Sequence, residues 1–134
     1  QLENLDKIQK KRVSIWKEYY TKLKPLEKDG KLDLPFIPDY ATVNGHILYF
    51  TVKIFQHRNT LIKFLAENGI NVTFHYQPLH KSKFYLQTNK INTLLNNTEK
   101  FSDTIIRLPL YYELKKNQIK FICDNIINFF KSII

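Results

Sequence analysis

The stretch Phe74-His75-Tyr76-Gln77-Pro78-Leu79-His80 places two imidazoles and a phenol within six positions. Such groups hydrogen-bond at neutral pH and suit a phosphate or a sugar hydroxyl. They stand at the end of an alternating run, and strand ends with their following loops are where α/β folds collect binding groups. His75 falls on the polar side of that run, so its ring need not be core. Pro78 stiffens the exit and can set where His80 points. The competing structural view makes His75 a cap on the sheet and Tyr76 a core residue. His46 opens another run, with Tyr49 three positions later. With His75 and His80 it would complete the three protein ligands of a catalytic zinc site. No Asp or Glu stands near these histidines in sequence to act as base or to orient a ring, which weighs against a metal. Cys123 lies on an apolar helical stripe, with no helix N-terminus or cation to activate it, and reads as a packing thiol. With Gly only 3 times, there is no phosphate-cradling glycine loop and no nucleophile elbow.

The elements that must position these groups follow from periodicity. Gln1 to Lys24 reads as a long amphipathic helix through Leu2, Leu5, Ile8, Ile15, Trp16, Tyr19 and Leu23, stopped by Pro25. Asp29-Gly30 signals a turn, and Leu32-Asp33-Leu34 a short strand. His46 to Ile54 alternates most clearly, with His46, Leu48, Phe50, Val52 and Ile54 on one side. Arg58 to Glu67 is helical and stops at Asn68-Gly69. Ile70 to Tyr76 alternates again, with Ile70, Val72, Phe74 and Tyr76 facing one way. His80 to Asn97 reads as loop, with a short helical piece at Ile91 to Leu95. Asn96 with Glu99 suggests a capping box for a helix over Thr98 to Ile106, broken by Pro109. Lys115 to Ile134 forms a last helix whose stripe is Ile119, Ile122, Cys123, Ile126 and Phe130, although Lys115 is a poor N-cap. The sum is a two-layer α/β (α+β) domain, a small antiparallel or mixed sheet covered by helices.

The 134 residues suffice for one domain with a hydrophobic core. Aromatic residues at 14% argue against disorder. The net charge of +9 invites a nucleic-acid reading, in which scattered lysines and exposed rings would form stacking platforms. The lysines are dispersed, however, and the longest basic run, Lys10-Lys11-Arg12, lies within a helix. One cysteine excludes an internal disulfide and fits a reducing cytoplasm. No run approaches the ~20 apolar residues of a membrane helix. The chain opens at Gln1 and Leu2 already inside a helical pattern, so further sequence is expected upstream.

These segments together resemble the C-terminal part of the DegT/DnrJ/EryC1/StrS sugar aminotransferases. The resemblance rests on the opening Gln1-Leu2 with Arg12, Tyr19 or Tyr20 and Leu23, then His46-x-x-Tyr49, then Arg58, Leu61 and Leu65 ahead of Gly69-Ile70. Its most specific part is His75-Tyr76-x-Pro78-Leu79-His80. Thr98-Glu99, Ser102, Arg107-Leu108-Pro109-Leu110 and Leu114 complete it. Ala41 to Phe50 and Phe74 to His80 look most like the branch acting on dTDP-4-keto-6-deoxyglucose, which makes an amino sugar for bacterial surface polysaccharide. The resemblance implies the small domain of the type I aminotransferase fold. The Schiff-base lysine and pyridoxal phosphate would then lie on a large domain outside this chain, leaving no catalytic residue here and an inert isolated fragment. It implies a cytoplasmic homodimer and a nucleotide-sugar substrate bordered by His75, Tyr76 and His80, with His46 as a further contact, and neither nucleic acid nor membrane as partner. The Lys- and Asn-rich Lys81 to Asn97 departs from the family's loop.

Overall fold

A computed structural model describes residues 2–88 and 94–133. Five α-helices and three strands follow in the order α1 (Leu5–Lys28), β1 (Leu32–Asp33), β2 (Leu48–Val52), α2 (Phe55–Glu67), α3 (Lys83–Thr88), α4 (Asn96–Thr104), β3 (Ile105–Leu108) and α5 (Lys116–Ser132). The sheet has the order β1-β2-β3 and both pairings are antiparallel.

Alternation in β2 decides the layering. Leu48, Phe50 and Val52 point into the core, while Tyr49 and Thr51 face the other side. The core side receives α1, α2 and α5. Tyr19 and Leu23 of α1 and Leu61 and Leu65 of α2 are fully buried, as are Ile119, Cys123 and Ile126 of α5 within a small margin. At ~1.5–3 kcal/mol for each large apolar side chain removed from water, these three stripes dominate the stabilisation. Phe64 and Phe129 join α2 to α5, with ring centroids 5.6 Å apart. The stripe expected on α5 is buried in full, with Phe129 added. Its start is also firmer than Lys115 suggested. The Gln118 side chain accepts the Lys115 backbone N–H at 2.9 Å, satisfying one of the donors a helix start exposes.

Helix α1 does not stop at Lys24. Pro25 removes one N–H, yet the helix continues to Lys28 because Leu26 gains a buried place. The end is sealed further on, where Asp29 donates to the Pro25 carbonyl at 2.9 Å and Lys31 to that of Leu26 at 2.9 Å. Gly30, at φ +66°, makes the turn. Gly45 also has positive φ, +62°, and a Cβ there would meet the Arg12 and Val13 backbone at 2.8 Å. The loop before β2 is thereby held against α1. Arg12 Nε donates to the Gly45 carbonyl at 3.0 Å, Arg12 Nη2 to that of His46 at 2.6 Å, and Trp16 Nε1 to that of Ile47 at 3.2 Å.

Within the expected loop His80 to Asn97, Lys83–Thr88 instead forms helix α3, and two further expectations change. Ile70 to Tyr76 is not a strand. It meets β3 through a single bridge, Thr73 to Arg107, with both backbone bonds formed. Ile70 and Val72 are buried as the alternation requires, but Phe74 and Tyr76 are 56% and 79% exposed. The ladder ends there because β3 itself begins at Ile105, level with His75, and leaves no further partner. The second change is at Ile105-Ile106, which leaves the helix and becomes strand. Pairing with Thr51 and Phe50 recruits both residues into the sheet. Helix α4 therefore passes into β3 without a loop, the Ile105 N–H still donating to the Phe101 carbonyl. Of the expected helical piece at Ile91 to Leu95, 91–93 lie outside the described residues, and Leu94 and Leu95 are not helical.

Candidate functional site

The side of the sheet away from the core carries Tyr49 and Thr51, with α4 laid partly across it. Tyr49 meets Phe101 of α4 edge-on at 5.7 Å. Where α4 leaves off, a cleft of about 440 Å³ opens between the helix and the Phe74–His80 exit. One wall is His75, Tyr76 and Pro78; the other is Asn97, Thr98, Phe101 and Ser102, with Ile105 as floor. His75 is half-buried and packs edge-on to Tyr76 at 4.9 Å. Its Nδ1 is buried with no hydrogen-bond partner among the described residues. An imidazole so placed has one unused polar atom beside a concave, mostly apolar surface. Such clefts with few polar groups are the usual form of small-molecule sites.

The structure thus brings His75 and Tyr76 together and leaves the other two candidate histidines, His46 and His80, out of the cleft lining. His80 is buried at 8% exposure, with Nε2 3.2 Å from Glu99 Oε1, while Lys81 Nζ lies 2.8 Å from Glu99 Oε2. The Lys81 ammonium, then the His80 ring, hold the Glu99 carboxyl below its ordinary range. His80 therefore fastens the Leu79–Lys81 turn to α4 instead of lining the cleft. Glu99 is engaged here and not as a capping box, and α4 starts from Leu95 with no side-chain cap. The carboxylate missing from the histidines' sequence neighbourhood arrives from 19 residues downstream.

His46 is exposed at the far end of the sheet. The register sets His75 level with Ile105 and Thr51, whereas His46 precedes the Leu48–Leu108 pair. That is about five residues, or roughly 16 Å at ~3.3 Å per residue. No three metal-ligating side chains converge among the described residues, so the histidines do not form the zinc site considered above. Cys123 is fully buried, and burial pushes its thiol up to about 12. It packs and does not react.

Asn97, Thr98, Phe101 and Ser102 were not singled out as site residues from sequence. Their i, i+1, i+4, i+5 spacing marks one helix face, a signal that was available but pointed equally to an ordinary amphipathic helix. Among the described residues the cleft lining contains no lysine and no carboxylate. It does not supply the imine-forming amine or the pyridinium partner that pyridoxal phosphate requires. Among the described residues no helix is long and apolar enough to cross a membrane.

The family model for DegT/DnrJ/EryC1/StrS aminotransferases matches residues 1–127. Among solved structures, the aminotransferase TlmJ from Streptoalloteichus hindustanus is similar over 100% of this chain and 35% of its own, at TM-score 0.87 and 20% identity. Helicobacter pylori PseC, an aminotransferase involved in pseudaminic acid biosynthesis, matches 98% of this chain and 35% of its own, at 0.85 and 21%. DesV from S. venezuelae, solved with a ketimine intermediate, matches 96% and 33%, at 0.84 and 23%. At these identities the likeness establishes the fold: the mixed α/β architecture is that of an aminotransferase portion. The chain spans about a third of the length of each.

Proposed function

Because this chain belongs to the DegT/DnrJ/EryC1/StrS aminotransferase family, we propose that it is the small domain of a pyridoxal-phosphate sugar aminotransferase and that its cleft borders the nucleotide sugar. The observation that carries this is the half-buried His75 ring standing beside Tyr76 in the wall of an open, mostly apolar cleft. The family match speaks for this reading over nucleic-acid binding, whose motives are the dispersed lysines and the exposed rings. In this reading, which follows the family resemblance, the cofactor belongs to the large domain of the complete protein. This chain's own part is positioning: His75 and Tyr76 orient hexose or diphosphate oxygens, and Phe101 with Ile105 excludes water beside them. His80 supports that wall from behind through Glu99. His46 serves, in this reading, only if the complete assembly extends the site to the far end of the sheet.

The finer assignment follows the resemblance of Phe74 to His80. The substrate is a dTDP-4-keto-6-deoxyhexose, aminated at C4 with glutamate as donor, in a cytoplasmic homodimer. The test is amino transfer by the complete, cofactor-loaded protein from glutamate to dTDP-4-keto-6-deoxyglucose. His75→Ala should raise KM for the nucleotide sugar at least tenfold and leave cofactor absorbance unchanged. Loss of cofactor with an unchanged KM would mean that His75 faces something else. A wild-type protein that transfers no amino group to any nucleotide keto-sugar would remove the reading altogether.

A further inference from the structure

Arginine occurs only at Arg12, Arg58 and Arg107 in a chain otherwise made basic by lysine. Arg12 is engaged by the loop carbonyls described above. Arg58 and Arg107 are different. Neither enters an ion pair among the described residues, and the Nε of each is buried without a hydrogen-bond partner. Arg107 sits on β3 opposite Tyr49 and Thr73, on the sheet side away from the core. It lines a second concavity, of about 300 Å³, together with Thr73, Phe74, His75, Tyr76 and Gln77. His75 and Tyr76 form the partition between this concavity and the larger cleft. Arg58 stands over the Phe74 ring, its guanidinium carbon 5.8 Å from the ring centroid. Gln77 is fixed by donating to the Lys81 carbonyl at 2.9 Å.

A half-buried guanidinium without an ion pair, lining a concavity with an imidazole and with no carboxylate in the lining among the described residues, lacks a counter-charge that an anion would supply. The planar fork of arginine matches a group presenting two oxygens, and lysine cannot reproduce that match. The volume is at the lower limit of ligand pockets, so it suits one anionic group and not a whole nucleotide sugar. We propose that Arg107, with His75 beside it, forms an anion subsite that receives a phosphate or carboxylate group of a substrate. This deepens the substrate-facing reading of the Phe74–His80 exit and rests on it. The subsite extends the site across the partition and makes Arg107 a positioning residue for the charged end of a substrate.

The two sources of such a group are separable. The complete, cofactor-loaded protein is titrated calorimetrically with inorganic pyrophosphate and, separately, with succinate. Binding of pyrophosphate that weakens at least tenfold in Arg107→Gln assigns the subsite to a diphosphate. The same loss for succinate assigns it to a carboxylate. Arg107→Lys, which keeps the charge and guards against a misfolded glutamine variant, should recover only part of the affinity. The proposal is overturned if wild type binds neither anion, or if both variants bind as wild type does. Titration needs no turnover. A protein that binds pyrophosphate through Arg107 but transfers no amino group would refute the aminotransferase reading and leave the subsite standing.

Discussion

Replacing Tyr19 with phenylalanine should stabilise this domain. The Tyr19 side chain is fully buried between α1 and α5, and its hydroxyl meets no hydrogen-bond partner among the described residues. A buried polar group left unsatisfied costs roughly 1–3 kcal/mol of desolvation. Removing the oxygen also forfeits a few van der Waals contacts at ~0.1–0.2 kcal/mol each, together about 0.5–1 kcal/mol. The net gain is about 1 kcal/mol, which for a domain of this size is a rise in Tm of roughly 3–5 °C. Urea unfolding followed by circular dichroism reads it directly: the midpoint should move up with the m-value unchanged. The sign has a second check in alkali. Burial first, then the neighbouring Cys123, pushes the Tyr19 phenol far above its ordinary range. A group with a raised folded value favours folding fully below its unfolded value, near 10 for a phenol, and loses that contribution as pH rises further. The phenylalanine variant should therefore gain on wild type above pH ~10. A loss of more than about 1 kcal/mol at neutral pH would refute the reasoning, because it would mean that the hydroxyl has a partner, such as a buried water.

Other perturbations test separate parts of the fold. Glu99→Gln should release the His80–Lys81 turn and flatten the acid limb of stability. The wild-type contribution of this carboxyl, held low by Lys81 and His80, is present above the ordinary carboxylate range and lost as pH falls through its lowered value. Acid titration of the two proteins should converge below that range; parallel curves would contradict it. Gly45→Ala, which forces a Cβ to 2.8 Å from the α1 backbone at positive φ, should cost about 1–3 kcal/mol by chemical denaturation. Cys123, whose thiol is pushed up to about 12 by burial, should resist alkylation in the folded state. As pH rises from near 9 towards that value it should draw down stability by ~1.4 kcal/mol per unit, and Cys123→Ala should remove that share of the slope while leaving the share due to Tyr19 above pH ~10.

How far the sequence revealed this arrangement depended on how local the deciding force was. The α5 stripe and the alternation of β2 were legible because one buried face imposes its period on every residue of the element. The stop at Asn68-Gly69 was legible because Gly69 takes a positive φ, +73°, that few other residues accept. The end of α1 was misplaced because Pro25 weighs against the helix locally, while burial of Leu26 weighs for it through distant packing. The run Ile70 to Tyr76 has a strand's pattern, but a strand also needs a neighbour, and no pattern within the run reports that β3 starts at Ile105. His75 was found as a candidate from its type and place. The role of His80 was hidden, since its carboxylate comes from another element, and the contribution of α4 looked like any amphipathic face.

The uninterrupted passage from α4 into β3 bears on how such a cleft can adapt to what enters it. Asn97, Thr98, Phe101 and Ser102 are carried on a helix whose last residue, Thr104, is followed at once by the first residue of β3. That wall has no joint at which to pivot, and it can shift only if β3 shifts with it. The opposite wall leaves the sheet after one bridge and is next held at the Leu79–Lys81 turn, which His80 and Lys81 fasten to Glu99, so the stretch between those two ties is the looser one. Any fitting of the cleft to differently shaped guests is therefore asymmetric, with α4 as the fixed jaw and the segment bearing His75 and Tyr76 as the one that gives.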